Sequence, residues 1–203
     1  MPSTFVPDLD LLQAEQRGSV LHLRLNRPAK RNALSDALVL QLQTAFVNLP
    51  EGTRAVVLSG AGDHFSAGLD LASLGEHSVA EGVMHSRMWH AAFEQIEFGR
   101  VPVIAVLHGA VVGGGLELAT AAHIRIAERS TFYGLPEGQR GLFVGGGGSA
   151  RIPRLVGAAR MAMSTCARQA FRSNSSRPTV RRRGRLSSVG NDSTGPPAAS
   201  CTS

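Results

Sequence analysis

Cysteine and long apolar runs are scarce in this chain of 203 residues. Its two cysteines, Cys166 and Cys201, both lie after residue 160, so the preceding chain has neither a disulfide framework nor a thiolate metal site. The longest stretch without a charged residue, Val101–Leu116, is interrupted by Pro102 and is too short to cross a bilayer. Residues 1–10 lack the basic start and apolar run of a signal peptide. The sequence therefore predicts a cytoplasmic protein without a membrane segment.

Several nucleotide-binding and catalytic motifs are also missing. The single lysine, Lys30, is not part of a P-loop, because no Gly-Lys-Ser/Thr sequence occurs. Gly60-Ala61-Gly62 begins like a dinucleotide-binding fingerprint, but Phe65 occupies the place of the third glycine. Ser66 does not form a nucleophile elbow, since His64 stands where a glycine is required. The seven histidines form no His-Glu-x-x-His pair, and we predict neither a metal nor a separate cofactor.

The formal net charge of +6 is confined to the end of the chain. Residues 1–160 contain 14 basic and 14 acidic side chains, whereas residues 161–203 contain seven arginines and one acid, Asp192. Residues 163–203 contain only four Leu, Ile, Val and Phe residues together, which cannot offset the chain entropy, so we predict a disordered tail. Its Arg181–Arg183 cluster is compatible with nucleic-acid binding. We favour a tail without a binding role and do not expect nucleic acid as a partner.

Residues 1–162 alternate between strand and helix patterns, which predicts one α/β domain. Ser35 is expected to cap a helix. The apolar positions of that helix are Leu38, Leu42, Ala45 and Phe46. Predicted strands are Ser19–Leu25, Arg54–Ser59, Val103–Leu107 and Ile124–Ala127; predicted helices are Val79–Phe98, Leu116–Ala122 and Gly147–Leu155. The candidates for the buried side of helix Val79–Phe98 are Val83, Trp89, Phe93 and Ile96.

Two segments rich in small residues, His64–Leu71 and His108–Ala119, each follow a buried strand. Small residues leave backbone N–H groups uncovered at the start of a helix. Two such N–H groups that converge from separate segments form an oxyanion hole, and glycine permits a ligand to approach closely. Taken singly, either segment is better explained as an ordinary strand-to-helix turn.

Taken together and in this order, the segments resemble the crotonase family, also called the enoyl-CoA hydratase/isomerase family. The resemblance covers roughly residues 15 to 162 and implies a crotonase-like α/β fold, a ββα superhelix. Four segments carry it: Asn26-Arg27-Pro28 with Asn32-Ala33-Leu34, Phe65-Ser66-Ala67-Gly68-Leu69-Asp70-Leu71, Gly113-Gly114-Gly115-Leu116-Glu117-Leu118, and Pro136-Glu137 with Gly141-Leu142 and Gly145–Gly148.

The resemblance implies roles for residues in the first and second of the glycine-containing segments. The backbone N–H groups of Ala67 and Gly114 would hold the thioester oxygen of an acyl-CoA. Ala67, together with Gly68, Leu69 and Asp70, would also border the coenzyme A moiety. Coenzyme A is then part of the substrate, and the expected partner is an acyl-CoA.

Glu117 and Glu137 match the two acid–base carboxylates of the hydratases. Adding water across an α,β-unsaturated thioester requires a base for the water and an acid for the α-carbon. Glu117 is expected to orient the water and Glu137 to donate the proton, which predicts hydration of trans-2-enoyl-CoA to 3-hydroxyacyl-CoA in fatty acid β-oxidation. Without the resemblance, Glu117 would be a helix N-terminal carboxylate favoured by the dipole, and Glu137 a solvated loop residue.

Other functions are compatible with the same residues. Isomerisation or carbon–carbon cleavage would use the same oxyanion hole. The chain could also be an inactive fragment or an interaction protein that binds through its basic tail.

The resemblance ends where the composition changes, after Ala162. Family members continue with C-terminal helices that cover the acyl-CoA pocket and form a trimer interface, and this chain is expected to lack them. Out-of-frame reading of GC-rich DNA gives Arg, Ser, Pro and Gly, so we hypothesise that residues from about 163 are frameshifted. With an intact C-terminus we would expect a homo-oligomer, a trimer or hexamer. Without it, exposed apolar surface and low activity are expected.

Overall fold

The computed structural model describes residues 9–73, 75, 78–166 and 171–172. Its strands, in chain order, are β1 (Leu12–Arg17), β2 (Val20–Leu25), β3 (Ala55–Gly60), β4 (Val103–Leu107), β5 (Ala110–Val112), β6 (Ile124–Ala127), β7 (Phe132–Gly134) and β8 (Phe171–Arg172). Its α-helices are α1 (Asp36–Val47), α2 (Val79–Glu97), α3 (Gly114–Ala121), α4 (Gly148–Val156) and α5 (Ala158–Cys166). The prediction of an α/β fold is confirmed.

The strands form two sheets. The larger has the order β1-β2-β3-β4-β6, with β1 antiparallel to β2 and the remaining neighbours parallel. The smaller has the order β5-β7-β8. Strand β5 begins three residues after β4 ends and belongs to the other sheet. The chain therefore leaves the large sheet immediately before the segment that contains Gly113 and Glu117.

The core lies on one face of the large sheet, against α1, α2 and α3. Across the sheet, Leu23 of β2 pairs with Leu58 of β3, which pairs with Ala105 of β4, and all three side chains are buried. The predicted N-cap of α1 is confirmed, since Ser35 Oγ accepts a 3.4 Å hydrogen bond from the N–H of Leu38. The predicted apolar face of α1 is buried at Leu38, Leu42, Ala45 and Phe46.

Two local differences from the sequence expectation concern β1 and α2. Strand β1 was not predicted, because its sequence LQAEQR is mostly polar; it is an edge strand held by pairing with β2. Val83 was wrongly placed on the buried side of α2, for it is 47% exposed. The first turns of α2 extend past the core. The buried residues of this helix are Trp89, Ala92, Phe93 and Ile96.

The boundary predicted at residue 163 falls inside helix α5. Met163–Cys166 are helical and Phe171–Arg172 pair with β7, so these parts of the predicted tail belong to a helix and a strand. A composition averaged over the 41 residues 163–203 does not resolve where a helix ends. Residues 173–203 lie outside the described residues. Within the described ranges, no helix combines the length and apolar character that a membrane span requires.

Candidate active site

The start of helix α3 has a backbone N–H group without a hydrogen-bond partner among the described residues. Gly113, between β5 and α3, has a φ of +52°, and its own N–H donates to the Gly134 carbonyl at 2.8 Å. A side chain is excluded there, since a Cβ atom on Gly113 would lie 2.6 Å from Oε1 of Glu137. The next N–H, that of Gly114, has no hydrogen-bond partner among the described residues. Because the first N–H groups of a helix lack intrahelical acceptors, this group is free to bind a ligand.

The segment from Ser66 to Asp70 runs beside that helix start. Four of its backbone N–H groups donate hydrogen bonds. Those of Ser66 and Ala67 donate to the carbonyls of Ala110 and Arg31, the latter at 2.9 Å. Those of Gly68 and Asp70 donate to Ser66 Oγ and, at 2.9 Å, to the Leu34 carbonyl. Within the described residues, the N–H of Leu69 has no partner. A Cβ on Gly68 would lie 2.6 Å from the Val112 carbonyl oxygen and 3.4 Å from the Gly114 nitrogen, so the segment packs directly against the start of α3.

The N–H group that this segment leaves free is therefore that of Leu69 and not, as expected, that of Ala67. The N–H of Ala67 is consumed by the Arg31 carbonyl and cannot also hold a ligand oxygen. The sequence contains one indication of which N–H groups are free, the glycine that precedes each of them. Each free N–H, that of Leu69 and that of Gly114, follows a glycine with positive φ, +93° at Gly68 and +52° at Gly113. That Gly68, Leu69 and Asp70 border coenzyme A stays a prediction.

Glu117 lies one helical turn into α3 and is only 4% exposed. Its Oε1 accepts hydrogen bonds from the N–H groups of Gly146 at 2.7 Å and Gly148 at 2.9 Å. Burial raises the pKa of the Glu117 carboxyl, while these two hydrogen bonds oppose the rise because they stabilise the charged form. A Cβ on Gly148 would lie 2.6 Å from Glu117 Cγ, so glycine is required for this approach. These two donors are not among the residues predicted from the sequence.

Glu137 lies in a short 3₁₀ turn, Glu137–Arg140, and is 9% exposed. The alternative that it is a solvated loop residue is thereby wrong. Burial raises the pKa of Glu137 to about 7, and the negative charge of Glu117 adds to the rise. Its Oε2 is buried without a hydrogen-bond partner in the described part of the chain. A carboxyl with this pKa exchanges its proton near neutral pH, as a general acid or base must.

An ion pair fixes the segment that carries the Leu69 N–H. Arg27 Nη2 contacts Asp70 Oδ2 at 2.8 Å, and both side chains are largely buried. Arg27 Nη1 also donates to the Ala33 carbonyl. The hydrogen bond from Arg27 lowers the pKa of Asp70, so the carboxylate remains charged and paired at neutral pH. The resemblance segments around Arg27 and Asp70 thus contact each other.

An open groove of about 650 Å³ runs along the outer side of α2. Its lining includes Val79, Val83, Ser86, His90 and Phe143. Among the described residues, no cluster of His, Cys, Asp and Glu side chains is arranged to hold a metal ion.

Comparison with known proteins assigns the family. The model of the enoyl-CoA hydratase/isomerase family matches residues 15–173. A crystal structure of a Rhodopseudomonas palustris protein described as an enoyl-CoA hydratase superposes with a TM-score of 0.80 and 53% identity, covering 84% of this chain and 66% of that one. The chain belongs to the enoyl-CoA hydratase/isomerase, or crotonase, family and has the crotonase fold.

Two curated relatives match different shares of this chain. The peroxisomal Delta(3,5)-Delta(2,4)-dienoyl-CoA isomerase of Arabidopsis thaliana is 34% identical over 163 residues, which are 73% of this chain and 59% of the relative. The fatty acid oxidation complex subunit alpha of Shewanella amazonensis is 46% identical over 108 residues, 52% of this chain. The chain spans 15% of that subunit's length.

The family match extends beyond the predicted limit at residue 162. It continues through residue 173, across the end of α5 and the β8 pair. The expectation that the resemblance ends after Ala162 is therefore wrong for residues 163–173.

Proposed function

We propose that this chain hydrates trans-2-enoyl-CoA thioesters to 3-hydroxyacyl-CoA thioesters. The observation that carries the proposal is a pair of buried glutamates, Glu117 and Glu137, next to the free N–H group of Gly114. The hydration step needs one group that accepts a proton from water and one that delivers a proton to carbon. Two carboxyls with different environments can meet both needs.

The backbone N–H groups of Leu69 and Gly114 would hold the thioester oxygen. Water attack at the β-carbon moves electron density onto that oxygen, and fixed donors stabilise the resulting enolate charge. One oxyanion-hole donor is worth about 2.7–4 kcal/mol in other enzymes. Gly68 and Gly113 permit this approach, since a Cβ on either would collide with its neighbours.

The two glutamates would divide the proton transfers. Glu117, which two N–H groups favour as a carboxylate, takes the proton of the attacking water, whose oxygen bonds to the β-carbon. Glu137, with a pKa of about 7, delivers its proton to the α-carbon. The C=C bond is consumed, and the product contains one new C–O and one new C–H bond. A proton must then pass from Glu117 to Glu137, which restores the starting state.

Isomerisation is the second candidate function. The Arabidopsis relative, 34% identical over 163 residues, is named a dienoyl-CoA isomerase. A pair of carboxyls that removes a proton from one carbon and returns it to another would move a double bond without water. Hydration is favoured here because Glu117 and Glu137 are both present, and a water between them meets a base and an acid.

The test is turnover of crotonyl-CoA, followed by the loss of absorbance of its conjugated thioester. Hydration increases the product mass by one water molecule, whereas isomerisation leaves the mass unchanged. We expect the hydrated product and its disappearance in Glu137→Gln. Wild-type-like turnover in Glu137→Gln would exclude the role assigned to Glu137, and a product of unchanged mass would favour isomerisation. The predicted cytoplasmic location and homo-oligomer can be checked by cell fractionation and light scattering.

A further inference from the structure

One stripe of helix α2 contacts the glycine loop that holds Glu117. Ser86, His90, Phe93 and Glu97 are spaced so that they share one face of the helix. Ser86 Oγ donates to the Gly145 carbonyl at 3.2 Å, and His90 Nε2 lies 2.7 Å from the same oxygen. Because a carbonyl only accepts, the His90 ring nitrogen must donate.

The Gly145 carbonyl and the Gly146 N–H belong to the same peptide group. Two α2 side chains donate to its oxygen, while its N–H donates to Glu117 Oε1 at 2.7 Å. Hydrogen bonds on both ends of one amide polarise it and strengthen each other. The donors on α2 therefore act on Glu117 through one intervening peptide group.

The following peptide group is held at its carbonyl oxygen. Arg151 Nη2 donates to the Gly146 carbonyl, and Arg151 Nη1 contacts Glu97 Oε2 at 2.9 Å. Close packing adds a steric limit, because a Cβ on Gly146 would lie 3.0 Å from a ring carbon of Phe93. The carbonyls of Gly145 and Gly146 thus accept hydrogen bonds from side chains, while the N–H groups of Gly146 and Gly148 donate to Glu117.

We propose that His90 and Ser86 are positioning residues that fix the Gly145–Gly146 peptide and, through it, the orientation of the Glu117 carboxylate. The inference rests on the proposed function for its kinetic consequence, but the structural link stands apart from any particular reaction. Neither side chain needs to touch the substrate. Their loss should reduce turnover rather than substrate binding.

The test compares four variants with the unchanged full chain. Ser86→Ala/His90→Phe removes both donors, and His90→Gln keeps an N–H donor at similar reach. Met84→Ala is the matched control, since Met84 is an exposed α2 residue outside the stripe. Gly148→Ala is a positive control for a displaced loop, as its Cβ would collide with Glu117.

In crotonyl-CoA hydration, the double variant is expected to lose about tenfold in kcat with little change in KM. His90→Gln should retain most of the wild-type kcat, and Met84→Ala all of it. An equal loss in His90→Gln and in the double variant, or a change confined to KM, would overturn the positioning role. Melting temperatures separate these results from general destabilisation.

Amide hydrogen exchange tests the link without activity. In the double variant, the Gly146 amide should exchange at least about tenfold faster than in the wild type, while amides of β3 are unchanged. If the wild type hydrates no crotonyl-CoA, the proposed function fails and this measurement alone decides the inference. Unchanged exchange at Gly146 would overturn it, whatever the activity.

Discussion

Replacing Glu137 by glutamine is expected to abolish hydration and, at alkaline pH, to stabilise the folded chain. The substitution preserves the shape of the side chain but removes its charge. In the structure this side chain is 9% exposed, and one of its oxygens is buried without a partner among the described residues. Burying an unpaired carboxylate is costly, whereas burying a neutral group of the same size costs much less.

The size of this effect follows from the pKa of Glu137. The folded-state pKa of about 7 stands well above the ordinary glutamate value of 4.5, and the gap corresponds to about 3 kcal/mol. Below pH 4.5 the carboxyl is protonated in both the folded and unfolded states, so it imposes no penalty. As the pH rises towards 7 the unfolded chain releases the proton first, and the folded state loses stability. Above pH 7 the full penalty applies.

Urea unfolding at pH 5 and pH 8 measures this difference. Glu137→Gln should exceed the wild type in unfolding free energy by up to about 3 kcal/mol at pH 8 and by much less at pH 5. Glu94→Gln, which removes an exposed carboxylate of α2, controls for the change in net charge. A variant no more stable than the wild type at pH 8 would refute the placement of Glu137 in a desolvated site. Hydration by the wild type should also fall above pH 7, because Glu137 must carry the proton it donates.

Three further predictions concern other parts of the chain. Gly68→Ala should lower stability by about 1–3 kcal/mol and stop hydration, because φ is +93° and the new Cβ would lie 2.6 Å from the Val112 carbonyl oxygen; melting curves and turnover check this. Arg27→Gln should reduce the unfolding free energy, measured by urea unfolding, by about 1–3 kcal/mol, since it removes the ion pair between two largely buried side chains, Arg27 and Asp70. If the tail is frameshifted, the alternative reading frame after the codon for residue 173 should encode helical sequence similar to the family, and resequencing that yields no such frame would refute the hypothesis.

The sheet core and its helices could be predicted because burial leaves a periodic trace in the sequence. Strand β4 was located to the residue, because an uninterrupted apolar run such as Val103–Leu107 is typical of a strand in a parallel sheet. Strand β1 has no such trace, because an edge strand is held by backbone pairing that polar residues provide equally well. Val83 shows the opposite error. Its helical spacing is right, but the sequence does not say how far the core extends along α2.

Some features of the candidate site could likewise be predicted from the sequence, and others could not. Glu117, Glu137 and Gly114 could be selected from their motifs, because the proposed chemistry requires a carboxylate or a bare backbone at each place. The direction of an N–H group depends on backbone torsion angles, which is why Ala67 was chosen and Leu69 was missed. The N–H donors of Gly146 and Gly148 lie about thirty residues beyond Glu117, and only the tertiary structure brings them to it.

The attachment of Glu117 to the loop before α4 has a consequence for how the chain would lose activity. The Glu117 carboxylate is held by the N–H groups of Gly146 and Gly148, which lie shortly before α4 and at its first residue. Local opening of α4 would remove these two hydrogen bonds, and local opening requires less free energy than global unfolding. On heating, activity should therefore disappear several degrees before the sheet melts, and a nascent chain should gain activity only after α4 has docked.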